Sequence, residues 1–244
     1  MRTVTFQSGE LQLVVDVAGS RPRPTVLFLH AGGETRRVWS SVAPTLIAAG
    51  WRTVAPDLRG HGSSGRAARY RLDDFIDDAA RLAEALCDRP LVVVGGSIGG
   101  VVGLLLEGEG RARIDGLVLL DVPTSPAPET AQRERARVRA AQARGVAAVA
   151  SVDPAFLAGR FVDDVLDEAD RWRQAARRVH IPTLLLRGAH STAVGPEQLS
   201  KFVEDLPHAE VISVDAGHLV ARDQLEEVTQ LLITFLRQFC GVEG

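Results

Sequence analysis

Short runs of apolar and β-branched residues alternate along most of the chain with segments whose apolar residues recur at helical spacing. Continuous apolar runs, such as residues 26–29 and 91–94, are typical of strands buried on both faces. The predicted strands cover residues 3–6, 11–18, 25–30, 53–55, 91–95, 114–121, 183–187 and 210–214. This alternation predicts βαβ units on a largely parallel sheet, and therefore an α/β fold.

The first two predicted strands are separated by only four residues, 7–10, which predicts an antiparallel hairpin at the start of the sheet. Between the later strands, apolar residues fall on one stripe of a helix over residues 72–86. The same spacing recurs in a last helix from residue 225 to residue 236. We assign both stripes to the core of the protein.

The alternation stops between Pro123 and Arg178, where the pattern is helical and rich in charge. Basic residues come first and acidic residues follow: Arg133, Arg135, Arg137, Arg139 and Arg144, then Asp163, Asp164, Asp167, Glu168 and Asp170. Solvated helix faces account for these charges, and the alternative is a basic surface that attracts an anionic substrate or partner. We interpret residues 123–180 as a helical cap inserted into a core formed by residues 1–122 and 181–244.

Composition narrows the class of protein. The 244 residues are 45% apolar with a formal net charge of -3, which excludes long disorder and argues against a nucleic-acid partner. The two cysteines, Cys87 and Cys240, have no metal-ligand spacing, and no disulfide framework is indicated. Residues 1–10 lack the apolar core of a signal peptide, and the longest uncharged run, 91–106, is shorter than a membrane span. We therefore expect a cytoplasmic protein with no membrane span, and nothing indicates its oligomeric state.

The uncharged run contains a serine between glycines, Gly95-Gly96-Ser97-Ile98-Gly99-Gly100, directly after a predicted strand and before a helix. A G-x-S-x-G turn of this kind needs small neighbours because side chains there would clash, and it exposes the serine hydroxyl. The N-terminus of the following helix offers backbone N–H groups to developing negative charge. An ordinary glycine-rich turn is the alternative for this motif alone. A dinucleotide motif is excluded because it needs glycine at position 97, and no P-loop lysine follows.

Three more segments follow predicted strands. His30-Ala31-Gly32-Gly33 follows the third strand, and its glycines allow the backbone to approach a ligand closely. The N–H of Gly32 would pair with that of Ile98 to form an oxyanion hole. Residues 55–64 follow the fourth strand and residues 215–219 the last one, at the sheet edge where open α/β folds place their sites.

Taken together, four motifs resemble those of an α/β-hydrolase of the serine esterase and C–C hydrolase branch. They are His30-Ala31-Gly32-Gly33, residues 57–63 (DLRGHGS), residues 95–100 and Gly217-His218, in this order. The resemblance covers nearly the whole chain. It implies a mostly parallel eight-stranded sheet flanked by helices, with a small helical cap, no cofactor, no metal and a small-molecule ester or acyl substrate.

The resemblance also implies residue roles. Ser97 would be the nucleophile and His218 the general base, whereas Pro56, Arg59 and His61 would stabilise a loop. A serine rather than an aspartate at position 97 argues against the epoxide-hydrolase and haloalkane-dehalogenase branches.

The chain departs from the family at the third catalytic residue. In the family that this chain resembles, the acid follows the seventh strand. Here the two positions expected for the acid hold Ser191 and Thr192, and no Asp or Glu lies between Asp170 and Glu197. Asp121, at the end of the sixth strand, is our preferred substitute, since some relatives carry their acid there and the order Ser, acid, His is kept. The alternatives are a histidine held by Thr192 or a water, or a more distant partner such as Glu34 or Asp223.

The favoured hypothesis is a cofactor-free serine hydrolase that cleaves a small ester, or a related acyl or carbon–carbon bond. Because the usual acid is missing, a weakened or ligand-binding member is a second hypothesis, and proton transfer of the lyase or oxygenase type is a third. Core packing is the preferred prediction for a further set of apolar side chains, and lining the pocket is the alternative: Val38, Trp39, Phe161, Val162 and Val165.

Overall fold

One eight-stranded sheet organises the protein. The computed structural model describes residues 1–125, 132, 136, 151–158 and 161–239. The strands are β1 (Arg2–Ser8), β2 (Leu11–Ala18), β3 (Thr25–Leu29), β4 (Arg52–Pro56), β5 (Leu91–Gly96), β6 (Gly116–Leu120), β7 (Thr183–Gly188) and β8 (Glu210–Val214). They lie in the order β1-β2-β4-β3-β5-β6-β7-β8. The mostly parallel eight-stranded sheet predicted from the sequence is confirmed.

The first strands form the predicted hairpin. β1 pairs antiparallel with β2, in a register that runs from Arg2 opposite Val17 to Ser8 opposite Leu11. β2 is also antiparallel to β4, and all pairings from β4 to β8 are parallel. The carboxyl ends of β3 to β8 therefore meet at one edge of the sheet, where the candidate site residues lie.

The prediction for the sixth strand was too long at both ends. Ile114 and Asp115 precede β6, because the backbone and carboxylate of Asp115 are hydrogen-bonded to the backbone of Leu91 in a connecting loop. Asp121 follows β6 with a φ of 54°, a left-handed conformation that ends the extended strand. This turn redirects the chain at the edge of the sheet.

Helices cover both faces of the sheet. In the part of the chain that the structure describes they are α1 (Ala43–Ala48), α2 (Leu72–Leu86), α3 (Ile98–Gly108), α4 (Pro154–Ala158), α5 (Phe161–Asp167), α6 (Ala169–Ala176), α7 (Pro196–Asp205), α8 (Val220–Asp223) and α9 (Leu225–Leu236). Short 3₁₀ helices span Arg36–Trp39 and Arg237–Phe239. The predicted helices over 72–86 and 225–236 are confirmed. No helix in these described ranges is both long enough and apolar enough to cross a membrane.

Alternation along the strands creates two cores. In β3, Leu27 and Leu29 pack into a cluster with α2, α3 and α6, whereas Val26 and Phe28 pack into a second cluster with α1 and α9. Successive side chains of a strand point to opposite faces, so a fully apolar strand contributes to both layers. This explains why the central strands are apolar runs rather than alternating ones.

Of the predicted cap, the structure describes residues 123–125, 132, 136, 151–158 and 161–180. The basic residues Arg133, Arg135, Arg137, Arg139 and Arg144 lie outside the described residues, as do the side chains of Val162, Asp163 and Asp164. In the described part, Arg171 on α6 pairs at 2.6–2.7 Å with the carboxylates of Glu109, Glu168 and Asp73. These ion pairs fix α6 against the ends of α2 and α3.

The candidate pocket-lining residues that can be traced are core residues. Phe161 and Val165 are buried in the cluster that contains α2 and α3. Trp39 belongs to the opposite cluster, where its ring stacks on Phe28 with centroids 4.6 Å apart, and Val38 packs against the same cluster. Core packing, the preferred prediction for these side chains, is therefore confirmed for Trp39, Phe161 and Val165, which are buried.

The two cysteines can be treated separately. Cys87 is partly buried, and burial raises the pKa of its thiol to about 12. Cys240 lies outside the described residues.

Candidate active site

Ser97 stands on the sharp turn between β5 and α3. Its backbone has φ 48° and ψ -119°, a conformation that non-glycine residues seldom adopt and that surrounding structure must hold in place. The N–H of Ser97 donates to the carbonyl of Leu120 at 3.3 Å, and the carbonyl of Ser97 accepts from Gly100 and Val101 at 3.0 Å. These bonds fix the turn between the neighbouring strand and the first turn of the helix.

The glycines around Ser97 are required by close packing. A Cβ on Gly95 would fall inside contact distance of the Gly99 carbonyl, and one on Gly99 would overlap the carbonyl of Leu29. On Gly100 it would overlap the side chain of Val122. The α3 helix can therefore start directly over β3 and β5 only because these positions have no side chain.

The imidazole of His218 lies next to the Ser97 hydroxyl. His218 follows β8, and its Nε2 atom is 3.1 Å from Ser97 Oγ. Its other nitrogen, Nδ1, is 2.8 Å from Oδ2 of Asp121. A carboxylate accepts hydrogen bonds, so Nδ1 carries the proton and Nε2 is left to accept the Ser97 O–H. The ring is part-exposed, with 41% of its side-chain surface accessible, whereas the Asp121 carboxylate is fully buried.

Within the part of the chain that the structure describes, the buried carboxylate of Asp121 accepts three hydrogen bonds. Its Oδ1 atom accepts the N–H of Gly188 at 3.0 Å, and its Oδ2 atom accepts both His218 Nδ1–H and the hydroxyl of Ser191. These donors replace the water that the buried carboxylate would otherwise bind. The sequence marks Ser191 as one of two positions where the expected acid is missing, and it does not predict that the Ser191 hydroxyl donates to Asp121.

The other carboxylates considered for His218 have different partners. Glu34 accepts the N–H of Ala31 at 3.2 Å, and Asp223 accepts the N–H of Gly217 at 3.2 Å. Burial raises the pKa of Glu34 above its ordinary value, although the N–H of Ala31 and the charge of Arg222 oppose this shift. Among the acidic candidates, Asp121 is the residue whose carboxylate lies on the Nδ1 atom.

The two residues predicted to supply the oxyanion-hole N–H groups lie near each other. Ile98 is the first residue of α3, so its N–H has no partner within the helix. A Cβ on Gly32 would lie 3.7 Å from the Ile98 side chain, which places the loop after β3 beside the start of α3. The structure thus places Gly32 beside Ile98, the residue that follows Ser97 in the chain.

The histidines and aspartate of the neighbouring loops have structural partners. His30 is fully buried, its Nε2 accepts the N–H of Leu58 at 2.9 Å, and burial lowers its pKa to about 3. His61 packs against Phe156 with ring centroids 4.6 Å apart, and burial lowers its pKa as well. Asp57 accepts the N–H groups of Arg36 and Ser63, each at 2.8 Å.

Arg59 also has a structural partner, since its guanidinium makes two 2.7 Å bonds to Asp78. Pro56 ends β4. Across residues 1–125, 132, 136, 151–158 and 161–239, no group of three or more His, Cys, Asp and Glu side chains is arranged to hold a metal ion.

Comparison with known proteins identifies the family. The profile described as alpha/beta hydrolase fold matches residues 24–164, more than half of the chain. Lipase LipV of Mycobacterium tuberculosis is 29% identical over an alignment that covers 90% of this chain and 97% of the lipase. A haloalkane dehalogenase of Mesorhizobium japonicum is 24% identical over 87% of this chain and 84% of the dehalogenase.

Among solved structures, a thermophilic esterase from Thermogutta terrifontis matches with a TM-score of 0.80 at 22% identity, covering 98% of this chain and 99% of the esterase. This likeness agrees with the fold described above. The chain belongs to the alpha/beta hydrolase fold family, and it is a hydrolase of that family.

Proposed function

We propose that this protein is a serine hydrolase that cleaves small esters through an acyl-enzyme formed on Ser97. His218 is the general base, Asp121 orients and stabilises its ring, and the N–H groups of Gly32 and Ile98 hold the oxyanion. The main support for the proposal is a chain of two hydrogen-bonding contacts. Ser97 Oγ lies 3.1 Å from His218 Nε2, and His218 Nδ1 lies 2.8 Å from Asp121 Oδ2.

In the first half of the reaction, Ser97 Oγ attacks the ester carbonyl carbon while its proton passes to His218 Nε2. The carbonyl oxygen becomes an oxyanion, which the N–H groups of Gly32 and Ile98 stabilise. When the tetrahedral intermediate collapses, the carbon–oxygen bond to the alcohol breaks and Nε2 returns the proton to the departing oxygen. The alcohol leaves and the acyl group remains on Ser97.

In the second half, a water attacks the acyl carbonyl and gives its proton to His218 Nε2. Collapse of the second intermediate returns that proton to Ser97 Oγ and releases the carboxylic acid. The charged imidazolium forms in both halves, and the buried Asp121 carboxylate stabilises it without accepting its proton. We also propose that the chain divides into a hydrolase core, residues 1–122 and 181–244, and a cap, residues 123–180. The cap would shape the substrate pocket.

The hypothesis of a weakened or ligand-binding member rested on the missing acid after the seventh strand. The contact between Asp121 and His218 supports hydrolysis instead, because a carboxylate on Nδ1 supplies what that strand lacks. The identity of residue 97 also argues against the haloalkane-dehalogenase branch of the family, because this chain has a serine there rather than an aspartate.

Two measurements test the proposal. A fluorophosphonate probe should label the wild-type protein once, at Ser97, and p-nitrophenyl esters of increasing acyl length should be hydrolysed. Ser97→Ala should lose both properties. Ser40→Ala is the matched control, because Ser40 is exposed and its hydroxyl donates to a local carbonyl, that of Arg37. The proposal is overturned if Ser97 is not labelled and wild-type turnover equals that of Ser97→Ala.

A further inference from the structure

The hydroxyl of Ser191 has a defined direction. Its oxygen accepts the N–H of Ala193 at 3.0 Å, and the backbone N–H of Ser191 donates to the carbonyl of Gly188 at 3.1 Å. Because an N–H can only donate, the Ser191 hydrogen is left to point at its remaining neighbour, Oδ2 of Asp121. That oxygen is also the one that faces His218 Nδ1.

We propose that Ser191 is a positioning residue that acts on His218 through Asp121. This inference rests on the proposed function of the Ser97 site. Ser191 donates to the same carboxylate oxygen that holds the imidazole, so it fixes the rotation of the carboxylate and shares its negative charge. Gly188 N–H holds the other oxygen, and together the two donors clamp the group in a single plane.

The clamp matters because Asp121 is fully buried and reaches the ring from a different strand. Without Ser191, the carboxylate would keep two of its partners, the N–H of Gly188 and the imidazole of His218. The carboxylate could then rotate about its Cβ–Cγ bond. The charge on Oδ2 would also be less dispersed, and a more concentrated charge favours the protonated imidazole. Loss of the hydroxyl should therefore change both the rate and the titration of the catalytic base.

The expected result for Ser191→Ala is a fall of about tenfold in kcat with little change in KM, since hydrogen bonds to charged groups are among the stronger ones. The acidic limb of the pH profile of kcat/KM should move upward by about 0.5 to 1 pH unit. Ser191→Thr keeps the hydroxyl and should behave like the wild type. The other charged groups around the ring, Glu34, Arg222 and Asp223, are unchanged in each variant.

A double-mutant cycle separates this role from simple support of the loop. If Ser191 acts through Asp121, adding Ser191→Ala to Asp121→Asn should change kcat by less than about twofold, whereas a loop effect would be additive. NMR titration of the His218 ring gives a second readout that needs no turnover. The titration midpoint should rise in Ser191→Ala and return in Ser191→Thr.

The outcomes distinguish this inference from the proposed function. If the wild type shows no Ser97-dependent turnover, the proposed function fails, and the NMR titration still tests Ser191. If turnover is present but Ser191→Ala matches the wild type in rate and titration, the positioning role is overturned. Equal losses in the alanine and threonine variants, with an unchanged titration midpoint, would also overturn it and assign the effect to the shape of the loop.

Discussion

The carboxylate Oδ2 of Asp121 lies 2.8 Å from Nδ1 of His218, although the two residues follow strands that are not neighbours in the sheet. β7 lies between β6 and β8, and its end supplies the connection. Gly188 N–H bonds to Asp121, and a Cβ on Gly188 would overlap the carbonyl of Gly217 beside His218. A glycine at the end of β7 therefore lets the loops after β6 and β8 come together.

Asp121→Asn should remove most of the activity. The asparagine keeps the volume of the buried group but cannot stabilise the imidazolium, and an amide that donates to Nδ1 would hold the wrong tautomer. In triad enzymes such a change costs about 10⁴ in kcat, so we expect a loss on the order of 10³ to 10⁴ here, with little change in KM. Steady-state kinetics on an activated p-nitrophenyl ester measures it.

Asp223→Asn is the comparison for that variant, because Asp223 lies close to His218 but bonds to the N–H of Gly217. Its loss of kcat should stay below about tenfold. Equal losses in the two variants, or an undiminished rate in Asp121→Asn, would remove Asp121 from the proposed triad.

Moving the carboxylate to position 191 should recover part of the activity lost at position 121. Ser191 Oγ touches the carboxylate oxygen that faces the imidazole, so an aspartate at 191 would place an oxygen near the same point. We expect the exchange variant Asp121→Ser/Ser191→Asp to exceed Asp121→Ser by about tenfold or more in kcat, a step of about 1.4 kcal/mol. Circular dichroism verifies that both proteins are folded, and a folded exchange variant with no recovery contradicts the prediction.

Glycine at position 99 should matter for stability, whereas glycine at position 96 should not. A Cβ on Gly99 would overlap the backbone of β3 at Leu29, but one on Gly96 would lie 3.8 Å from its nearest neighbour, Ala31. We expect Gly99→Ala to lower the free energy of unfolding by about 1–3 kcal/mol or more. Gly96→Ala should change it by less than about 0.5 kcal/mol. Urea denaturation of the two variants compares them directly, and equal stability would show that the overlap is relieved.

The buried His30 should make stability depend on pH. Its pKa is about 3 in the folded protein, mainly because of burial, and near 6.5 in the unfolded chain. The unfolded chain therefore binds an extra proton as the pH falls below 6.5. The stability that His30 contributes is complete above pH 6.5 and is lost progressively towards pH 3.

The variant His30→Gln tests this dependence. It should be less stable than the wild type at pH 7.5 by about 1–3 kcal/mol, because the bonds to Ala31 and Leu58 are impaired. Between pH 7 and pH 4, however, its free energy of unfolding should fall less steeply than that of the wild type. Parallel urea titrations at several pH values give both slopes, and identical slopes would assign the acid sensitivity to other groups.

Local sequence patterns were sufficient for most of the sheet. The apolar run from Leu91 to Val94 predicted a strand buried on both faces, and β5 packs that way because successive side chains must point to opposite sides. The glycines around Ser97 predicted a tight turn, and Gly95 and Gly99 stand where a Cβ would meet nearby backbone. Core packing of Trp39 was also predicted correctly, but the sequence carries no information on which of the two layers a short helical segment will cover.

The sequence by itself determined the order of strands and helices, the turn that carries Ser97 and the position of His218 after the last strand, because each depends on periodicity or on steric limits within a few residues. Only the tertiary structure decided which carboxylate faces His218 and that Ser191 supports it. Those contacts join residues 97 and 70 positions apart in the chain, and their distances are set by how β6, β7 and β8 are aligned, which no local pattern encodes.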